Sequence, residues 1–248
     1  MTHRTLTVLP VYNEVRHLVP VLDQAVRYSQ AVLVVDDGST DGTSDLLAVR
    51  SDIHHLRHPQ NQGYGAALRS GFAYAIRQGY DTLVTIDCDG QHEPQRIPEF
   101  VNACHGVDIV SGSRYLRRFA GDTAAPAQRR HINRIITAEV NWQLGLSLTD
   151  AFCGFKAYRV KSLREIEITE TGYAMPLELW VQAAALDLRI VELPVPLIYL
   201  DETRSFGGAL DNGDTRLEVY REVLRRATEA VKRRVSCRLS GSTAYCGD

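Results

Sequence analysis

The sequence predicts an α/β protein: a mostly parallel sheet with helices on its faces. Three observations carry this expectation. Short apolar, β-branched runs alternate with stretches of helical period from residue 6 onward. That alternation marks strand–helix–strand units with right-handed crossovers. Two of the runs, residues 31–35 and 83–86, break directly into acidic, glycine-bearing stretches. Such breaks mark the carboxyl edge of an open sheet, where ligands bind. Finally, no repeat, low-complexity tract or linker interrupts the chain, so residues 1–212 read as one domain.

Taken in order, residues 6–11 form the first strand, and Pro10 predicts its end, because proline cannot donate to a ladder. Leu18, Val21, Leu22, Ala25 and Val26 recur with helical spacing and give a helix over about 16–29. Residues 31–35 are a fully apolar strand that ends in Asp36-Asp37-Gly38-Ser39-Thr40-Asp41-Gly42-Thr43, a stretch suited to cap a helix at about 42–50. Residues 53–57 read as a weak edge strand. A glycine-bearing loop, 61–65, then opens a helix over about 65–78, with Ala66, Ala67, Gly71 and Ala75 on a small face for close packing. The apolar strand 83–86 follows, then a helix at about 94–105 and a strand at 107–110. Residues 116–126 form a polar loop without period, and 128–144 a helix with Ile132, Ile135, Ile136 and Val140 on one side. Residues 149–158 read as a glycine-broken aromatic strand, 176–186 as a helix, and 189–200 as an edge strand broken by Pro194 and Pro196.

Bulk properties narrow the class. The chain has 248 residues and a formal net charge of −2, so nothing global draws it to nucleic acid. Its five cysteines are widely spaced, odd in number and without a Cys-x-x-Cys pair, which fits a reducing cytoplasm better than a disulfide framework or a zinc site. No window approaches 18 uninterrupted apolar residues, so any meeting with a membrane is expected at its surface.

The chemistry concentrates at Asp87-Cys88-Asp89-Gly90-Gln91-His92. Two carboxylates one residue apart, past the end of a buried strand, disfavour each other's ionisation. A divalent cation removes that conflict, and hard Mg²⁺ or Mn²⁺ suits carboxylate oxygens while keeping room for substrate phosphates. The plain alternative is a solvated acidic turn. Gly63-x-Gly65 is no dinucleotide fingerprint, since it follows a weak strand and lacks the third glycine.

Four stretches now stand in register: Pro10-Val11-Tyr12-Asn13-Glu14, residues 35–43, residues 87–92, and Ser111-Gly112-Ser113-Arg114-Tyr115. With Cys153-Gly154-Phe155 downstream, their order and spacing resemble glycosyltransferase family 2, above all its dolichyl-phosphate mannosyltransferase-like branch, over about residues 4–205. The resemblance implies a GT-A fold, a GDP- or UDP-hexose donor and a divalent metal, Mg²⁺ or Mn²⁺. Carried over by position, it implies that Pro10, Tyr12, Glu14, Val35 and Asp37 hold the nucleoside. It places Asp87, Asp89 and Gln91 at the metal and diphosphate, with Cys88 against the ribose, and gives Arg114 a phosphate to bind. Where the branch carries a lysine in its C-terminal part, this chain reads Asp201-Glu202-Thr203-Arg204, and Arg204 stands in that role.

The resemblance further implies inversion at the anomeric carbon, with Asp89 and Arg114 offsetting charge on the leaving diphosphate. The acceptor is expected to be a polyprenyl phosphate, or else a saccharide or protein hydroxyl, as in glycan synthesis. A third reading is a sugar-nucleotide-binding protein without turnover. A hydroxyl acceptor needs a carboxylate base. Asp150 is the candidate, with a turn-capping role as its alternative. His92 is expected to cap the next helix or face solvent, with metal ligation as the lesser alternative. Arg129, Arg130 and Arg134, at a helix start, suit an acceptor phosphate or plain solvation. A last helix over 213–235 sets Leu217, Tyr220, Leu224, Ala227 and Val231 on one face, with Arg221, Arg225, Arg226, Lys232, Arg233 and Arg234 on or beside the other. Such a helix is expected to pack on or beside the domain, with its basic face resting on an anionic membrane or simply solvated. Residues 236–248 read as a disordered tail.

Overall fold

A computed structural model describes residues 2–200 and 208–239. A seven-stranded sheet runs in the order β3-β2-β1-β4-β6-β5-β7, from β1 (Thr5–Val11), β2 (Val32–Asp36), β3 (His54–Arg57), β4 (Thr82–Thr85), β5 (Ile109–Ser113), β6 (Lys156–Arg159) and β7 (Ile190–Pro194). All neighbours pair in parallel except β6, which is antiparallel to both β4 and β5. The expected mostly parallel α/β sheet is therefore present, with β3 and β7 as its edges. The chain turns from one wing to the other between β1 and β4, the switch point at which open sheets bind ligands.

Alternation along the strands divides the core. Leu6, Val8, Leu33 and Val35 face one side, under α3 (Tyr64–Arg77), α5 (Ala127–Leu144), α7 (Met175–Ala185) and α8 (Gly213–Leu239). Leu9, Val11, Val32 and Val34 face the other, with α1 (Leu18–Tyr28) and α4 (Ile97–Ala103). The small face of α3 is buried as its composition requires, with Ala66, Ala67 and Ala75 at most 2% exposed. A short helix, α2 (Thr43–Ala48), follows β2, and Asp41 accepts from its first N–H, that of Thr43, at 3.0 Å. The four-residue α6 (Val160–Leu163) follows β6.

The strand stops at Val11, one residue past Pro10, and Pro10 itself still pairs with Val35 in the central strand β1. The Val8 carbonyl accepts from Ile86 N–H on the β4 side, and Pro10, two residues on, faces that same side. The ladder with β4 stops at Val8, so the missing N–H of Pro10 leaves no bond unmade. The aromatic strand is also shorter than its composition suggests: only Lys156–Arg159 is strand, and residues 149–155 form a loop. The last helix continues past 235 to Leu239, so the first four residues of the expected disordered tail are helical, and residues 240–248 lie outside the described ones.

Candidate active site

The carboxyl ends of β1, β2, β4 and β5 open into a cavity of about 870 Å³. Asp87, Cys88, Asp89 and Gln91 all line it. The apolar run of β4 puts them there: once the strand ends, the next residues must lie on the sheet's rim. Tyr64 Oη, from the first turn of α3, donates to Asp87 Oδ1 at 3.0 Å. His92 Nε2 lies 3.2 Å from Asp87 Oδ2. Gln91 N–H donates to Asp89 Oδ1 at 3.0 Å. The Asp87 carboxylate lies directly over Gly154, and a Cβ there would run into it. The glycine of the Cys-Gly-Phe element is thus the floor on which this carboxylate rests.

His92 departs from expectation. It neither caps a helix nor faces solvent; its side chain is 6% exposed and meets the Phe155 ring edge-on, 5.7 Å between centroids. Its Nδ1 is buried without a hydrogen-bond partner. Burial pushes the Tyr64 phenol well above its ordinary pKa, and the Asp87 carboxylate adds to the shift, so Tyr64 stays a donor to Asp87.

Pro10, Tyr12, Glu14 and Asp37 line another stretch of the same wall, and Tyr12 presents an exposed ring. The Val35 side chain is fully buried in β2, which leaves only its backbone to meet a ligand. Asp37 is buried and held from three directions. Gln62 N–H donates to Oδ1 at 2.9 Å and Gly63 N–H to Oδ2 at 2.7 Å. His58 Nδ1 sits 2.6 Å from Oδ1, and its Nε2 is 2.8 Å from Ser70 Oγ. Gly63 has φ +103°, a conformation that favours glycine and turns its N–H toward Asp37. His58, at the end of β3, carried no sequence signal of this role.

Arg114 follows β5 and also lines the cavity. Its guanidinium grips Asp150 with both arms, Nε to Oδ2 at 2.6 Å and Nη2 to Oδ1 at 2.9 Å. Asn133 Nδ2, from α5, adds a third donor to Oδ1 at 2.8 Å. Burial alone would raise the Asp150 pKa; the Arg114 charge and these hydrogen bonds win and hold it down at about 2. A general base needs an accessible carboxylate poised near the working pH. Asp150 is fully buried and committed to Arg114, so the geometry suits it to orienting that arginine instead. Behind the loop, buried Lys156 donates to the Cys153 carbonyl, and burial pushes its ammonium below the ordinary range.

The far wall comes from α5 and α8: Arg129, Ile132 and Asn133 from one, Arg216 and Tyr220 from the other. The first turns of α8 close this side of the cavity. Four of its six named cations are engaged: Arg221 with Glu139, Arg225 with Glu222 and Glu229, Arg226 with Glu170, Arg234 with Glu167. Arg130 and Arg134 are exposed on α5. Arg204 lies outside the described residues.

These features meet known proteins at the same place. Residues 7–167 match the pattern of the family described as Glycosyl transferase family 2. An undecaprenyl-phosphate mannosyltransferase of Micrococcus luteus is 35% identical over 94% of this chain and 99% of its own length. The chain belongs to glycosyltransferase family 2. This glycosyltransferase is also 33% identical to a polyprenol monophosphomannose synthase of Mycolicibacterium smegmatis, over 78% of this chain and 77% of that one. A dolichyl-phosphate hexose transferase of Haloferax volcanii is 30% identical over 76% of this chain and 80% of that one. Among solved structures, glucosyl-3-phosphoglycerate synthase of Mycobacterium tuberculosis with UDP superposes with a TM-score of 0.71 at 19% identity, over 92% of this chain and 80% of that one. The same enzyme has been crystallised with Mn²⁺, UDP and phosphoglyceric acid, and with Mg²⁺ and UDP. The family 2 glycosyltransferase thus has the GT-A fold that its motifs imply.

The donor set fits a hard divalent cation. Among the described residues no three His, Cys, Asp or Glu side chains form a closed cage. Mg²⁺ needs none: it takes one or two carboxylates and completes its shell with water and substrate phosphates. Asp87, Asp89 and Gln91 offer such a partial set on the cavity wall, and the Gly154 floor leaves space where a side chain would fill it.

Proposed function

We propose that this glycosyltransferase moves a hexose, mannose or glucose, from a GDP- or UDP-sugar to a polyprenyl phosphate, with Mg²⁺ or Mn²⁺ bound and with inversion at the anomeric carbon. One observation carries the reading: a single cavity combines the carboxylate pair Asp87 and Asp89 with four guanidiniums, Arg16, Arg114, Arg129 and Arg216. The pair suits a cation on a diphosphate, and the guanidiniums suit phosphate oxygens. The relatives from Micrococcus luteus and Mycolicibacterium smegmatis, by their names, serve the same class of acceptor.

In this reading an oxygen of the acceptor phosphate attacks the anomeric carbon. The bond from that carbon to the diphosphate breaks, and its electron pair leaves with the nucleoside diphosphate. A divalent cation supplies charge neutralisation on the departing diphosphate. Asp87, Asp89 and Gln91 hold the ion. Tyr64 and His92 orient Asp87, and Asp37, Glu14 and Tyr12 hold the nucleoside. Arg114, pinned by Asp150, presents a cation already in place, and one fixed donor of this kind is worth roughly 3 kcal/mol. An ionised phosphate acceptor needs no general base, which accords with the burial of Asp150.

Among the described residues no helix is long and apolar enough to cross a membrane. A lipid acceptor therefore favours contact at the cytoplasmic membrane face. Liposome flotation of the full chain tests that contact, and its absence would remove it. Transfer itself is tested with labelled sugar nucleotides, Mn²⁺ and a short isoprenyl phosphate. The expected product is labelled, extracts into organic solvent and is lost in Asp89→Ala. Nucleoside diphosphate released without such a product would overturn the acceptor.

A further inference from the structure

The glycine beneath Asp87 is held from both sides. Thr85 and Lys156 stand directly opposite each other in the antiparallel ladder of β4 and β6, so their side chains share one face of the sheet. Thr85 Oγ1 donates to the Gly154 carbonyl at 2.8 Å. Lys156 Nζ donates to the Cys153 carbonyl. These carbonyls belong to the two peptide groups that flank the Cα of Gly154. Two residues on in the same register come Asp87, past the end of β4, and Gly154, before the start of β6, and there the carboxylate lies against the bare Cα. A further carbonyl of the loop, that of Ala151, accepts from Trp180 Nε1 at 2.9 Å. The Lys156 nitrogen lies 5.4 Å from the centre of that same Trp180 ring.

Glycine has the widest choice of backbone angles, so a glycine that supports another group must be fixed from outside. Peptide groups are planar, and holding the carbonyls before and after Gly154 fixes both of its rotations. Lys156 is 2% exposed and Thr85 1%. Taking an amine or a hydroxyl out of water costs free energy, and an apolar side chain of similar size would fill either place without that cost. What the two polar groups add is therefore their hydrogen bonds. Both bonds end on the peptide groups under the Asp87 carboxylate.

We propose that Lys156 and Thr85 are positioning residues for the divalent cation: they lock the peptide groups around Gly154 and through them hold Asp87 where it meets the ion. Neither side chain lines the cavity, so each acts through Gly154 and touches no ligand. This rests on the cation assigned above and extends its support to a cross-strand pair one layer below the wall that binds it. A second layer of this kind sets the orientation of a metal ligand and hence the affinity of the site.

The test uses the full chain, Mn²⁺ and GDP or UDP. Electron paramagnetic resonance reads bound Mn²⁺, and calorimetry reads the nucleotide with and without the ion. Lys156→Met keeps the length of the side chain and loses the donor. It is expected to weaken Mn²⁺ binding in the presence of nucleotide by roughly tenfold or more. Nucleotide alone is expected to bind it as it binds wild type. Thr85→Val loses only the hydroxyl and is expected to weaken Mn²⁺ in the same sense, while Thr85→Ser restores it. That pair carries the test if Lys156→Met fails to fold. A merely structural role would shift Tm and leave Mn²⁺ affinity unchanged, or would weaken nucleotide alone to the same degree. Either result in folded variants overturns the proposal. If wild type itself holds no Mn²⁺ beside the nucleotide, the metal reading fails and this role falls with it. Unchanged variants beside a wild type that binds the ion overturn the role alone.

Discussion

Asp150 holds Arg114 by two parallel hydrogen bonds, 2.6 and 2.9 Å long, across 36 residues of chain. The carboxylate is buried completely, whereas the guanidinium side chain is 17% exposed and reaches the cavity. One partner is enclosed and the other meets the cavity. Breaking a buried pair by removing one charge costs about 3–5 kcal/mol, because the other is left uncompensated. Asp150→Asn is therefore expected to lower stability by about that much and to reduce kcat, with nucleotide affinity less affected. Chemical unfolding and steady-state kinetics check the two parts. A variant with wild-type kcat would show that Arg114 needs no anchor.

The same pair sets an acid limit. Asp150 is held at about 2, below an unfolded value of about 3.9. Its contribution is present in full above the unfolded value and is lost as pH falls through the folded one. The stability gap between wild type and Asp150→Asn should stay constant down to about pH 5 and shrink between about pH 4 and 2. Unfolding free energies measured across that range give the answer.

Gly154 supports Asp87 by having no side chain. Gly154→Ala is expected to push the carboxylate aside, and a displacement near 1 Å can cost about 100-fold in rate. The expected result is a folded protein with poor Mn²⁺-dependent nucleotide binding. Calorimetry with nucleoside diphosphate, with and without Mn²⁺, reads this directly; unaltered binding would contradict it.

His58 stands behind Asp37, off the cavity wall, and links it to Ser70. His58→Ala removes one hydrogen bond to a buried carboxylate, an interaction worth about 1.5–3 kcal/mol. The expected consequence is a higher Kd for the nucleoside diphosphate, while the acceptor KM stays as it was. A variant that binds nucleotide normally would mean that the two backbone donors, Gln62 and Gly63, suffice.

Removing the divalent cation with a chelator is expected to abolish transfer, and Mg²⁺ or Mn²⁺ to restore it. The folded state should survive, since the described residues form no closed cage that would make the ion a structural staple. A loss of Tm on chelation comparable to unfolding would assign the ion a structural role instead.

Much of this was legible in the sequence because the determining interactions are local. The β-branched run of β4 makes a strand wherever it sits, and the polar break after it places Asp87 and Asp89 on the rim. The small face of α3 had to be buried. The family motifs lie at these same strand ends, so the site's acidic side could be named in advance.

What the sequence by itself determined is the sheet, its carboxyl edge and the acids that edge displays, since strand period and chain breaks act over a few residues. The tertiary structure alone decided the partners: Asp150 for Arg114, His58 for Asp37, Gly154 beneath Asp87, and Arg216 in the wall. Each of these joins segments distant in the chain, and a side chain's charge, exposure and freedom depend on what the fold brings against it. Asp150 read alone is a candidate base; enclosed with a guanidinium, it is an anchor. The basic helix α8 read alone suits a membrane; packed on α5 and α7, it pairs most of its charges and places one inside the cavity.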